Sequence, residues 1–192
     1  MRNTVRLALS AACLALGAAN AATAASPPAW VVDKAHSTLG FDSAYSGAKF
    51  NGSFNTWSAN ITFDPANLAA SKASVTIDLA STKTGDPDRD DTLPAPDWFN
   101  TARFPKATFT TTAIKALGAG RYRASGVISL KGVNQPATLT FTLKITGKQA
   151  VMVGQAVVDR TQWKIGQGQF TAETPVPHAV TVKVNLTANK AG

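Results

Sequence analysis

Apolar and polar residues alternate with a period of two along most of the chain, the signature of half-buried β-strands. In HSTLGFDSAY, Leu39, Phe41 and Tyr45 share one face, and His36, Thr38 and Asp42 share the other. The same alternation groups Val75, Ile77 and Leu79; then Leu139, Phe141, Leu143 and Ile145; then Val180, Val182, Val184 and Leu186. Further strands are predicted in AWVVD, KFNGSFNTWSANITFD, KATFTTTAI, GRYRASGVISL and AVMVGQAVVDRTQWKIG. Ser46-Gly47, Asp64-Pro65, Gly118-Ala119-Gly120, Gly132-Val133-Asn134 and Gly147-Lys148 supply turn signals between many of them. Helix is predicted at two places only. One is PANLAASK, weakly; the other starts at Asp86 or Asp88 and runs through Leu93, where Pro94 and Pro96 stop it.

Eight or nine strands, many joined by short loops, predict an all-β protein built as an antiparallel up-and-down barrel; a two-sheet sandwich is the rival. In KFNGSFNTWSANITFD the apolar set changes face, from Phe50 and Phe54 to Trp57, Ile61 and Phe63. Such a switch calls for a bulge or a sharp bend. A barrel of about eight strands either fills itself with side chains or holds one small ligand. Many inner-face candidates are small: Gly40 or Ser43, Thr110 or Thr111, Ala124, Gly126, Gly154 and Ala156. Among scattered Phe residues they leave either a narrow filled core or a tunnel.

The first residues belong to a different category. Arg2 and Arg6 precede the apolar run Leu7–Ala19, and Ala19-Asn20-Ala21 and Ala22-Thr23-Ala24 follow as small-residue cleavage sequences. Residues 1–24 read as a secretory signal peptide, cleaved after Ala21 or Ala24, and 25–192 as one domain. No later segment is apolar enough for a membrane-spanning helix. Cys13, the only cysteine, falls inside the signal, and Ser10 stands where a lipoprotein signal would carry a Leu-like residue. The mature chain therefore has no disulfide and no thiol chemistry. Removing Arg2 and Arg6 takes the net charge from +8 to +6, which favours anionic surfaces such as lipid head groups. The bases are scattered and form no basic helix, so nucleic acid is not an expected partner.

The stretch TGDPDRDDTLPAPDWFNTARFPKATF, Thr84 to Phe109, combines acids, prolines and bulky aromatics. Asp86, Asp88 and Asp90 take positions 1, 3 and 5 of a calcium loop, but Asp91 stands where the turn requires Gly, and Asp97 where a bidentate Glu is preferred. A carboxylate enzyme needs two acids tuned apart by burial, whereas neighbouring Asp residues at a helix start are ordinarily solvated. Trp98, Phe99 and Phe104 cannot all face water; they form either a plug or a lid above a ligand. His36 and His178, the only histidines, lie near the first and last strands, and two His without a third ligand make a thin metal site. His36 and Ser37 are adjacent on a strand and point to opposite faces, so they are no nucleophile–base pair.

Four blocks of the sequence carry a resemblance. WVVDKAHSTLGF supplies Trp30, Asp33, His36, Ser37 and Phe41; RDDTLPAPDWFNTARFPKATF supplies Arg89, Asp90, Leu93, Asp97, Phe99, Phe104, Pro105 and Phe109. GVISLKGVNQPATLTF and VVDRTQWKIG, with Asp159 and Arg160, complete the set. In this order, from Trp30 to about Ala188, the chain resembles the YceI-like proteins, periplasmic binders of polyisoprenoid lipids with a lipocalin-like barrel. It departs from them at Trp163, where Phe is common, and in the KIG that follows. PDWF and VPHAVTV are similar to members found beside or fused to cytochrome b561-type proteins.

The resemblance implies a non-enzymatic periplasmic barrel, monomer or homodimer, with no cofactor beyond a bound isoprenoid or quinone-like lipid. Transport or storage of that lipid, with transient contact at a membrane surface, is the implied role. Presentation of a quinone to a cytochrome b561-type membrane partner is the alternative. Strand parity and the resemblance together place Leu39, Phe41, Phe54, Phe109, Phe141 and Trp163 along the tunnel, and Trp98, Phe99 and Phe104 at its mouth. Arg160 is expected to form an ion pair with Asp159 or Asp90, or else to meet a ligand head group.

Overall fold

Residues 26–192 are described by the computed structural model, so the expected signal peptide lies outside the described residues. The period-two segments form eleven strands: β1 (Ala29–Val32), β2 (Thr38–Tyr45), β3 (Ala48–Phe54), β4 (Trp57–Thr62), β5 (Lys72–Asp78), β6 (Thr82–Lys83), β7 (Lys106–Gly118), β8 (Arg121–Leu130), β9 (Val133–Thr146), β10 (Gln149–Asp159) and β11 (Ala179–Lys190). One helix, α1 (Pro87–Thr92), starts on the Asp86 carboxylate, which accepts from Arg89 N, and ends at Leu93 before the prolines.

Six of these strands are halves. β1 with β2, β3 with β4, and β5 with β6 each make one kinked stave, and with β7 to β11 they give eight. All neighbours are antiparallel, and the sheet closes because β11 pairs with both β1 and β2 as well as β10. Closure leaves only the two-residue β6 with a single neighbour and removes the sandwich alternative.

Two of the three kinks share a device. Asp33, at the end of β1, accepts a hydrogen bond from Ala35 N and starts a 3-10 turn at Lys34–His36. Asp78, at the end of β5, accepts from Ala80 N and starts another at Leu79–Ser81. Between β3 and β4 the break falls at Asn55-Thr56, whose amides bond Ser81 O at 3.2 Å and Ser81 Oγ at 2.9 Å. That break is why the apolar set changes face there. The chain bends through an interrupted ladder, and the two halves keep their own registers.

Asp159 repeats the device, accepting from Thr161 N and Oγ1. β10 therefore ends there, and the RTQW expected to continue it is a 3-10 turn closed by Lys164 in the left-handed region. PANLAASK forms no helix. Asp64 and Asn67 take the amides of Ala66 and Ala70, and Ser71 Oγ holds the carbonyls of Asp64 and Asn67, which settles the segment as turns. Such side-chain bonds compete directly with helix hydrogen bonds.

The long connection after β10 has little regular structure and is organised by Arg160, which is 4% exposed. Its Nε donates to Pro177 O at 3.0 Å; Nη1 to Ile165 O and Gly166 O at 2.6 and 3.1 Å; and Nη2 to Phe170 O, Ala172 O and Val176 O at 2.6, 3.2 and 2.8 Å. The expected ion pair with Asp159 or Asp90 is not formed: Asp159 is engaged with Thr161, and Asp90 with Thr84 and Lys83. Burial lowers the Arg160 pKa, while the more distant charges of Asp159 and Glu173 oppose that. Carbonyl dipoles take the place of a counter-ion.

His36 and His178 are not neighbours. His36 precedes Thr38, which faces Asn185, while His178 immediately precedes β11. About nine residues at ~3.3 Å each put them roughly 30 Å apart. His36 bonds Asp33, and His178 bonds Thr171 O and faces Glu173.

Two outcomes are expected. Lysine cannot reproduce a planar five-donor fork, so Arg160→Lys should lose about 3 kcal/mol or more, a fall in Tm on the order of 10 °C in a thermal melt. A melt unchanged within about 2 °C would show that the guanidinium does not hold the connection together. The Asp90 carboxyl is held below its usual pKa, first by the hydrogen bond from Thr84. Its contribution is complete above the unfolded value of about 4 and is lost as pH falls through the lower folded value. In urea titrations across pH, the gap between wild type and Asp90→Asn should therefore be widest above pH ~4 and shrink below it.

Candidate functional site

A single domain ordinarily has one contiguous core, but this barrel has two. Trp30, Phe63, Ile114, Phe141, Leu186 and Ala188 belong to a cluster at the end where β7 turns into β8. There Trp30 Nε1 donates to Phe63 O at 2.9 Å, Phe63 meets Tyr122 edge-on, and Tyr122 stacks on Phe141 at 5.4 Å. Leu79, Phe99, Ala107, Trp163 and Ile165 form the other cluster, at the end that carries α1 and the Arg160 connection. No residue belongs to both, and the space between them is a cavity of about 600 Å3.

The wall of this cavity is made by alternate residues. β9 contributes Ala137, Leu139, Phe141 and Leu143, and β11 contributes Val180, Val182, Val184, Leu186 and Ala188. Glycines explain why the phenylalanines do not fill it. Phe41 lies across Gly52, its cross-strand partner, so that a Cβ there would collide with the ring. A Cβ on Gly126 would come within 2.5 Å of the Phe109 ring, and one on Gly154 within 2.7 Å of Phe141 Cβ. The Phe41 and Phe109 rings lie against the wall over missing side chains, the Phe141 ring stacks on Tyr122, and the lumen stays open. Of the two outcomes left by the small residues, the tunnel is the one formed.

Polar groups gather at one end. The lining reaches exposed Tyr45, Asp88 and Thr92, with Thr84, Asp86 and Arg89 beside them. The Arg89 guanidinium lies 4.3 Å above the Phe50 ring centre and pairs with Asp86 at 3.3 Å. Trp98 packs on Phe170 at 5.2 Å, and Ser46 N donates to Pro175 O at 2.8 Å, tying the β2–β3 turn to the Arg160 connection. These three elements form the rim. Lys72, exposed at the start of β5, borders the cavity at the other end.

Of the residues expected from the sequence, Leu39, Phe41, Phe54, Trp98, Phe99, Phe109, Phe141, Trp163 and Arg160 all border this cavity. Phe104 does not. It packs outside, over Gly132 in the β8–β9 turn, with Arg103 stacked on it. Arg160 touches the cavity as a clamp whose donors are all taken by carbonyls, which leaves none for a head group. Arg89 is the base at the mouth. Tyr45, Phe50, Phe170 and Val176 were not expected there; Tyr45 and Phe50 share parity with Phe41 and Phe54, and Phe170 is the lone Phe of a loop without periodicity. Among the described residues no group of three or more His, Cys, Asp or Glu could hold a metal ion.

The chain is 29% identical over 189 residues, 97% of its length and 95% of the relative's, to a UPF0312 protein of Pseudomonas syringae pv. tomato. A UPF0312 protein of Pseudomonas savastanoi pv. phaseolicola is 32% identical over 77% of this chain and 75% of its own. The crystal structure of Burkholderia cenocepacia BcnA matches with a TM-score of 0.79 at 31% identity, over 82% of this chain and 99% of that one. A polyisoprenoid binding domain from Saccharophagus degradans, implicated in plant cell wall breakdown, shares the fold at a TM-score of 0.66 and 20% identity, over 85% and 99% of the two chains. With a match to the YceI-like domain across residues 30–188, the hollow eight-stave barrel belongs to the YceI-like domain family.

Proposed function

We propose that this protein binds an isoprenoid or other long apolar lipid inside the barrel and carries or stores it outside the cytoplasm, without catalysis. The observation that supports this reading is the cavity: about 600 Å3, walled by apolar side chains between two separate cores, with most of its polar groups gathered at one rim. That volume lies inside the ~300–1,000 Å3 range of ligand pockets and is roughly four times an apolar cavity that stays dry and takes up benzene. At roughly 0.8 kcal/mol per buried methylene, about ten carbons would gain on the order of 8 kcal/mol before the ordering costs of binding. A chain with its tail against Phe141 would bring its head to Thr84, Asp86 and Arg89, where hydrogen-bonding groups meet water. Two of the acids near the rim are already engaged, which favours a binding protein over a hydrolase. Asp86 caps α1 and Asp90 holds Thr84, so neither is a free general acid or base.

Native mass spectrometry of protein released gently from cells, followed by organic extraction, should show a stoichiometric apolar adduct and identify it. Ala156, buried and facing the lumen, offers a way to fill the cavity, and Gly52→Ala would push the Phe41 ring inward. Ala156→Phe should abolish the adduct, and Gly52→Ala should weaken binding about tenfold, some 1.4 kcal/mol, with unchanged circular dichroism. Full lipid retention by the filled variant would defeat the proposal.

A further inference from the structure

We infer that the outer wall made by β8, β9, β10 and β11 is a docking surface for an anionic phospholipid membrane, on which the barrel lies on its side. This goes beyond lipid binding in the cavity, since the residues concerned point the other way. Val151, Val153 and Val157 stand on the outer face of β10 and are 44%, 54% and 65% exposed. They form an apolar ridge about 20 Å long, interrupted by the exposed Gln155, on a strand that has neighbours on both sides.

Bases flank the ridge. Lys144 is the β9 partner of Val151; Arg121 stands opposite Thr142, itself the partner of Val153; and Arg123 stands opposite Thr140. None of these three bases pairs with a carboxylate among the described residues. Between Asp97 and Asp159 the chain runs 61 residues with eight Lys or Arg and no acid. That segment holds β7, β8, β9 and all of β10 but its last residue. Lys183 on β11 is tied to Asp42 on β2, the carboxylate at the border of the wall. Beside Val153 a shallow hollow of about 380 Å3 is lined by Arg121, Thr140, Thr142, Gln155, Lys183 and Asn185, cations and hydrogen-bonding groups suited to a phosphodiester.

The charge distribution also orients the barrel. α1, with Asp86, Asp88, Asp90 and Asp91, follows β6, three or four staves around from β9 and β10. An anionic surface therefore attracts the basic wall and repels the acidic side. Valines between bases on one face suit the membrane interface, where apolar side chains enter the head-group boundary and cations meet phosphate. Lying on β10 and β11 brings their connection, with Phe170 on the rim of the mouth, to the membrane plane. An apolar chain would then pass between bilayer and lumen along protein instead of through water.

The test is flotation of the purified chain with phosphatidylcholine vesicles, with and without phosphatidylglycerol, at low and high salt. Wild type should float only with phosphatidylglycerol and be released by salt. A base near the surface contributes roughly fivefold, so Arg121→Gln/Lys144→Gln should bind about 25-fold more weakly, while Lys49→Gln/Lys106→Gln, the same charge change elsewhere, stays within about twofold. Val153→Asp/Val157→Asp, at exposed sites, should lose flotation with an unchanged melt. Equal loss in both charge variants, or wild-type flotation of the valine variant, would overturn the surface; so would a wild type that ignores phosphatidylglycerol. The Ala156→Phe variant should still float and the wall variants should still carry their adduct, so failure of the cavity reading is told apart from failure of this one.

Discussion

Three aspartates decide the shape of this barrel. Asp33, Asp78 and Asp159 each stand at the last residue of a strand or just beyond it, and each turns its carboxylate onto an amide two residues ahead. The local bond competes with the next rung of the ladder, so the strand stops and a 3-10 turn begins. At Asp33 and Asp78 a second strand resumes on the far side of the turn, and the stave is bent without leaving the sheet. Eight staves close only if they curve, and curvature at fixed positions also fixes register. The Asp33 and Asp159 carboxyls are held below their usual pKa, in each case first by the side-chain hydrogen bond they accept, from His36 and Thr161 respectively.

The hollow follows from what lines the bent staves. Eight strands enclose a space that large side chains could fill. Here Gly52 and Gly126 give the rings of Phe41 and Phe109 a wall to lie on, Tyr122 takes the face of the Phe141 ring, and Ala124, Ala137 and Ala156 keep other positions short. Packing energy is then gathered in two end clusters rather than one central core. The end with Trp30, Phe63 and Tyr122 is sealed by aromatics in contact with one another. The other end is sealed less completely, by α1, Trp98 and a connection with little regular structure.

Arg160 is what makes that connection usable as a rim. A long irregular loop in a compact protein is commonly functional or disordered, and this one is ordered by a single guanidinium satisfying six carbonyls. A buried charge without a carboxylate partner is costly unless dipoles replace the lost solvation. Five of the accepting carbonyls lie between Ile165 and Val176, so the loop must fold around the side chain for the charge to be accommodated. Burial of Arg160 and order in the loop are the same event.

The strands, the all-β class, the short helix at Asp86 and the apolar wall were legible in the sequence, because period-two alternation and capping are local. Leu39, Phe41, Phe54, Phe109 and Phe141 were placed by strand parity together with the resemblance, and all five border the cavity. The end of β10 was missed, since VVDRTQW carries no Gly or Pro to mark a stop, while Asp159 breaks the ladder through a side-chain bond. Phe104 was put at the mouth because it follows Trp98 and Phe99 in sequence, yet the turn at Asn100–Phe104 carries it to the outside over Gly132. Arg160 invited pairing with a charged neighbour, whereas its partners are carbonyls up to seventeen residues away. Phe170 had no rhythm to betray it. The sequence by itself determined which residues face inward, because that depends on alternation along one strand. Whether the inside is empty, and which loops rim it, was decided only by closure of the barrel, because the distance from a Phe ring to a glycine across the sheet, or from a guanidinium to six carbonyls, exists only in the folded chain.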